Sequence, residues 1–186
     1  NIYHPSYLTC CHLKPINGEI FFNNKRCAVF NPKQFMDLGI AYIPEDRNAD
    51  GLVGDMSVWE NAIITETDNG NLRTSLGLLN TDTCRKSAQK LCETYDVRSQ
   101  SLQQPARLLS GGNVQKLLLG RWLTRNPKLL VACQPTRGLD EGAIVSIQKM
   151  LLDVRKKGNA ILLITEDLDE LLMLSDRIAV MYNGQL

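Results

Sequence analysis

Residues that build metal and redox centres are scarce in this sequence. Its 186 residues hold two histidines, His4 and His12, and six cysteines: Cys10, Cys11, Cys27, Cys84, Cys92 and Cys133. No two cysteines have CxxC spacing and neither histidine has ligand company nearby, which argues against a zinc site. Both histidines read as structural or exposed, Cys133 reads as a buried thiol, and the cysteine usage points to a reducing compartment. Neither sign of charge is in excess. The net value of +1 excludes the basic footprint of a nucleic-acid binder and an acidic tail. No apolar run approaches the ~18 residues that cross a bilayer, so any membrane link must run through a partner. No initiator Met precedes Asn1 and no secretory leader is present, so a piece of a longer protein is expected.

What is present suits one globular domain with a sizeable core: 44% of residues are hydrophobic and 22% charged. Residues 18–22, the pair Asn23-Asn24 and residues 25–29 read as a hairpin. Residues 40–43 form a short strand closed by Pro44. Ser57 and Glu60 have capping-box spacing. Residues 67–82 are polar and rich in Gly and Asn, a loop. Residues 83–95 form an amphipathic helix with Ala88, Leu91, Cys92 and Tyr95 on one face.

Residues 128–133 are almost continuously apolar, as in a strand buried on both faces of a parallel sheet. Residues 142–157 form a helix, with Ala143, Ile144, Ile147, Met150, Leu151 and Val154 inward and Gly158 at its end. Residues 159–165 are a second buried strand. Strand, helix and strand within about 35 residues predict a right-handed βαβ crossover. Residues 167–174 form a short helix. Residues 178–182 read as a strand, and Asn183-Gly184 as a hairpin turn with only Gln185 and Leu186 on the returning arm.

The rest of the chain is organised around Leu109-Ser110-Gly111-Gly112-Asn113-Val114-Gln115-Lys116. Ser110 is a good N-cap, and Val114, Leu117, Leu118, Trp122 and Leu123 then recur at helical steps. Two glycines without a Cβ allow close approach to the backbone. Free first-turn N–H groups, the Ser110 hydroxyl and the positive end of the helix dipole suit a phosphate. An ordinary capped helix after a loop is the alternative reading of the same residues.

The stretch LSGGNVQK resembles the signature motif of ABC-transporter ATP-binding subunits, in the variant used by importers of simple sugars and nucleosides. Further matches occur in order, from about Lys14 to Leu186. Gly18-Glu19-Ile20 resembles the strand after the phosphate loop, and Gly39 to Arg47 the Q-loop region of the second ATP-binding half. Ser57 to Asn61 resembles the start of the helical subdomain. Gln134 to Asp140 resembles the D-loop after the Walker B strand, and Ser175 to Gly184 the family's usual ending.

The resemblance implies a P-loop NTPase-like ABC ATP-binding domain. This is an α/β fold with a mostly parallel RecA-like sheet, its N-terminal part truncated or diverged. Residues 1–47 and 126–186 would form the core and 48–125 the helical subdomain. It also implies ATP and Mg2+, with Ser110, Gly111, Gly112, Gln115, Asp140 and Glu45 at the nucleotide. The implied partners are a second ATP-binding half, transmembrane permease subunits and, indirectly, a solute-binding protein. The implied place is peripheral, on the cytoplasmic face of the membrane, with no nucleic acid involved.

Several positions depart from the family pattern. No Gly-Lys dipeptide occurs anywhere and residues 1–13 contain no Gly, so no Walker A cradle is readable. The usual Asp-Glu ending of Walker B is Cys133-Gln134. Neutral Gln134 hydrogen-bonds a water but cannot take its proton as a carboxylate does, and a thiol suits hard Mg2+ poorly. Glu45 replaces the Q-loop glutamine; without the resemblance it reads as part of a charged surface turn. Glu166 replaces the switch histidine, and a carboxylate repels phosphate.

Gln134 and Glu166 are therefore expected to be degenerate catalytic positions, with no metal ligand here. The chain would donate its signature to the partner's ATP site while its own site is inactive. The alternative is a non-catalytic module that binds another ATP-binding half or a membrane subunit without nucleotide. An unrelated flavodoxin-like domain fits less well, since no phosphate loop succeeds a first strand.

Overall fold

The computed structural model describes residues 18–26, 31–183 and 185. The readings of His4, His12, Cys10, Cys11 and Cys27, and of the hairpin arm beyond residue 26, lie outside these. The hairpin itself forms from β1 (Phe21–Phe22) and β2 (Lys25–Arg26), antiparallel with Phe21 opposite Arg26. Asn23 and Asn24 make its turn at φ 49° and 60°, the left-handed pair that a two-residue hairpin needs and asparagine tolerates.

The chain then forms α1 (Pro32–Asp37), started by Asn31 and a proline in the first turn. Gly39, at φ +85°, turns it into β3 (Ile40–Ile43). The helices α2 (Val58–Ile63), α3 (Thr81–Thr94) and α4 (Gly111–Leu123) come after it. Next are β4 (Leu129–Cys133), α5 (Glu141–Lys156), β5 (Ala160–Ile164) and α6 (Leu168–Leu174). The sheet runs β3–β4–β5, parallel throughout, with Ile40 beside Leu129 and Leu129 beside Ala160.

Helix α4 joins two apolar clusters. Val114, Leu118 and Leu119 pack with Ala41, Ile43, Leu130, Ala132, Ile147 and Leu151 over the sheet. Leu117 points instead into a helical cluster with Val58, Ala62, Leu72, Ala88 and Leu91. Each fully buried leucine contributes about 1.5–3 kcal/mol, so the placement of α4 is held from both sides.

The structure corrects three expectations. The stretch read as a loop over 67–82 contains a one-turn helix, Gly70–Leu72, and α3 starts at Thr81 under an Asn80 cap. Its polar composition hid Leu72, which is buried in the helical cluster. The strand at 159–165 is not buried on both faces: Leu162 of β5 is 40% exposed. Residues 178–182 form no strand; only an isolated bridge links Tyr182 and Gln185, and Val180 is 75% exposed. An apolar pattern makes a strand only where a neighbour supplies hydrogen bonds, and among the described residues no strand pairs with this one. It lines an apolar groove with Leu162, Leu171 and Leu174 instead.

Candidate functional site

Two polar places hold most of the residues expected at a nucleotide. The first is the mouth of α4. Ser110 occupies the N-cap position in extended backbone, exposed, yet its side chain takes none of the first-turn N–H groups. Its hydroxyl accepts instead from Asn113 Nδ2 at 2.8 Å, and Asn113 Oδ1 accepts from the Arg98 amide at 2.8 Å. The mouth thus keeps its donors unspent, as an anion site requires.

The glycines serve the packing as well. A Cβ on Gly112 would stand 2.7 Å from the Ala143 Cβ, so this glycine lets α4 lie against α5. A Cβ on Gly111 would stand 3.0 Å from Arg47 Nη2. The room expected for a close ligand beside these two Cβ positions is filled by protein.

Asp140 lies next to the mouth and caps α5, with Oδ1 accepting from the Ala143 amide at 2.9 Å. Gln115 is 1% exposed, on the packed side of α4 rather than at its mouth. Glu45 is exposed and ion-paired with Arg137. After it, Asp46 starts a single π turn, Arg47–Gly51. Its carboxylate accepts from the Ala49 and Asn48 amides, which hold it below the usual carboxylate range, with Arg47 adding a smaller pull.

The second place is the end of β4 and β5. Cys133 is buried and in no disulfide. Gln134 comes next in left-handed backbone at φ 47° and is 8% exposed. Its Nε2 donates to Glu166 Oε1 at 3.1 Å, while its Oε1 accepts from Thr165 Oγ1 at 3.4 Å and the Glu166 amide at 3.5 Å. Gln134 and Glu166, predicted as one site from residues far apart in sequence, therefore meet and satisfy each other.

Close by in sequence, Thr136 Oγ1 donates to Glu170 Oε1 at 2.8 Å, and the second Glu170 oxygen has no partner. A thiol, a neutral amide and a carboxylate already tied to that amide do not fit Mg2+, which wants open oxygen ligands in octahedral array. Among the described residues no three His, Cys, Asp or Glu side chains stand together as a metal site.

Sequence reasoning missed Arg47. Its guanidinium donates from Nη1 to the Arg137 carbonyl at 2.7 Å and from Nη2 to the Gly138 carbonyl at 3.5 Å. It missed Thr136–Glu170 too. Both contacts join residues that no spacing rule connects.

A parallel sheet crossed by α5, with a helical layer pinned on by α4 and a glycine mouth at its start, defines an ATP-binding cassette of the P-loop NTPase class. The crystal structure of a nucleotide-free ATP-binding cassette from an ABC transporter matches it with a TM-score of 0.78 at 28% identity, over 97% of this chain and 72% of that one. The family profile described as ABC transporter matches residues 7–137, and the chain belongs to the ABC transporter family.

The guanosine import ATP-binding protein NupO of Bacillus subtilis is 42% identical over 173 residues, 93% of this chain and 34% of NupO. The glucose import ATP-binding protein TsgD13 of Haloferax volcanii is 42% identical over 171 residues, 91% of this chain and 31% of its own length. The chain spans about a third of the length of these curated relatives. No helix among the described residues is long and apolar enough to cross a membrane.

Proposed function

We propose that this chain is part of the second ATP-binding half of an importer for nucleosides or simple sugars. It donates the mouth of α4 to an ATP site completed by a partner half, while its own strand-end site does not hydrolyse. The observation that carries this reading is the contrast between an exposed Ser110 that caps nothing and a Gln134 already bonded to Glu166. In this reading Ser110 and the first-turn N–H groups meet the terminal phosphate of a nucleotide seated on the partner half. They hold the charge that develops there during phosphoryl transfer. Asp140 fixes α5 beside them.

At the chain's own site the Gln134 amide, tied to Glu166, cannot take a water's proton, and Mg2+ is left to the partner half. Residues 1–47 and 126–186 act as the core and 48–125 as the helical subdomain. The assembly works peripherally on the cytoplasmic face, with permease subunits and, indirectly, a solute-binding protein. The names of the relatives support nucleosides and sugars as cargo.

Ser110→Arg in the intact transporter tests the proposal by steady-state ATP turnover and vesicle uptake. Filling the mouth is expected to cut turnover about 100-fold, the scale of losing an oxyanion-type donor. Wild-type rates would remove the mouth from the mechanism. A second reading, an interaction module that needs no nucleotide, draws on the missing Gly-Lys dipeptide. Calorimetry of the chain alone with MgATP tests the second reading: tight binding would contradict it, and a lost cradle with it.

A further inference from the structure

We infer that Arg47 is a positioning residue that holds the 137–140 turn in register with the mouth of α4. This inference rests on the proposed role of that mouth. Arg47 begins the π turn Arg47–Gly51, a rare arrangement that is frequent at functional places. Its guanidinium lies in a slot between two glycines. Nη2 is 3.0 Å from where a Gly111 Cβ would stand and 3.8 Å from where a Gly138 Cβ would stand.

Its bonds go to backbone, to the carbonyls of Arg137 and Gly138, while the nearby carboxylate of Glu45 is taken by Arg137. Nε is buried without a partner. Leaving a buried guanidinium donor unpaired costs stability, and simple packing would be served as well by an apolar chain. What only the planar fork supplies is two donors set at a fixed spacing for consecutive carbonyls. Three segments distant in sequence thus meet at one group: the turn after β3, the turn after β4, and the start of α4. One of the three carries the donors the proposed function presents to the partner half, and a second carries Asp140, which fixes α5 beside them. Its positive charge, which also acts on the Asp46 carboxylate, adds to the dipole at that mouth.

The test uses the intact transporter with three variants: Arg47→Met, Arg47→Lys and Gly111→Ala. Arg47→Met keeps length and packing but removes the fork. It is expected to lower kcat about tenfold, within the range for a misplaced catalytic surface. The KM for ATP should stay within about twofold and the unfolding temperature unchanged, because the residue touches no substrate. Arg47→Lys restores charge but not the paired donors and recovers part of the rate.

Gly111→Ala, whose methyl would displace Nη2, gives the same loss, and combining it with Arg47→Met adds nothing further. Wild-type turnover by Arg47→Met overturns the inference, and so do losses that multiply in the double variant. A fall in unfolding temperature that accounts for the lost rate, with lysine no better than methionine, also overturns it. Ser110→Arg is run alongside. If that variant is inactive while Arg47→Met is normal, only this inference fails; if it too is normal, the proposed function fails with it.

Discussion

Two helices among the described residues begin on a serine, and the two serines behave differently. Ser57, at the start of α2, is buried and closes a full capping box. Its hydroxyl accepts from the Glu60 amide at 3.3 Å and donates to Glu60 Oε2 at 2.5 Å, and its own amide donates to that oxygen at 2.8 Å. Ser110, at the start of α4, is exposed and caps nothing. The sequence signal is the same residue type in the same position. The difference lies one turn further along each helix. Glu60, three residues after Ser57, reaches back to the cap, whereas Asn113, three residues after Ser110, takes the hydroxyl and leaves the N–H groups alone. A capping residue that does not cap is a local rule broken, and such breaks collect at functional places.

Four substitutions test the contrast. Gly112→Ala has the largest expected effect on stability. Its methyl would meet the Ala143 Cβ at 2.7 Å, and overpacking α4 against α5 is expected to cost about 1–3 kcal/mol, read as a lowered urea midpoint. Gln134→Glu comes next. It would put a second carboxylate against Glu166, and the repulsion is expected to cost about 1–2 kcal/mol at neutral pH. The repelled carboxyls titrate above their unfolded value, so the folded variant binds protons more readily than its unfolded chain. Its deficit must therefore shrink as pH falls through that raised value. A deficit independent of pH would rule out the amide–carboxylate contact.

Ser57→Ala is expected to lose about 1 kcal/mol by thermal or urea unfolding. The Ser57 hydroxyl, then its amide, hold the Glu60 carboxyl below the usual range. The hydroxyl's share of that stabilisation is present above the unfolded carboxylate value and is lost as pH falls through the lowered folded value, so the gap between variant and parent must narrow in acid to the contribution of the Glu60 amide bond to the hydroxyl. Ser110→Ala should cost only a few tenths of a kcal/mol, since no cap bond is lost. A loss as large as that of Ser57→Ala would erase the distinction between the two serines.

Much of this fold could be read locally. The capping box, the Gly158 end of α5, and the apolar β4 each depend on a few neighbouring residues, and the structure places them close to where the pattern does. What failed depended on neighbours out of reach. Residues 178–182 carry a strand's composition but need a partner for their hydrogen bonds, and β5 stays partly open at Leu162.

The site divides the same way. Ser110, Gly111 and Gly112 were legible as a helix mouth, while their packing against Arg47 and Ala143 was not, because it depends on contacts across the fold. Gln115 was read by motif position, and one step of helical rotation puts it inward. Asn61, noted only as the end of a motif, is fully buried and bonded to both backbone groups of Val53 and to the carbonyls of Met56 and Ser57.

Arg121 stands near the other end of α4. It is a buried guanidinium whose titration is pushed down to about 10 by burial. It donates to the carbonyls of Gly51 at 2.6 Å and Asn61 at 3.4 Å. Gly51 is the last residue of the turn that Arg47 begins, and a Cβ there would lie 2.6 Å from Leu118 in mid-helix. One five-residue coil is thus moored to the front, the middle and the back of the same helix. A rod tied to a single block at three points along its length travels with that block and does not pivot on it. A push on residues 47–51 reaches the serine at the tip as a shift of the whole rod.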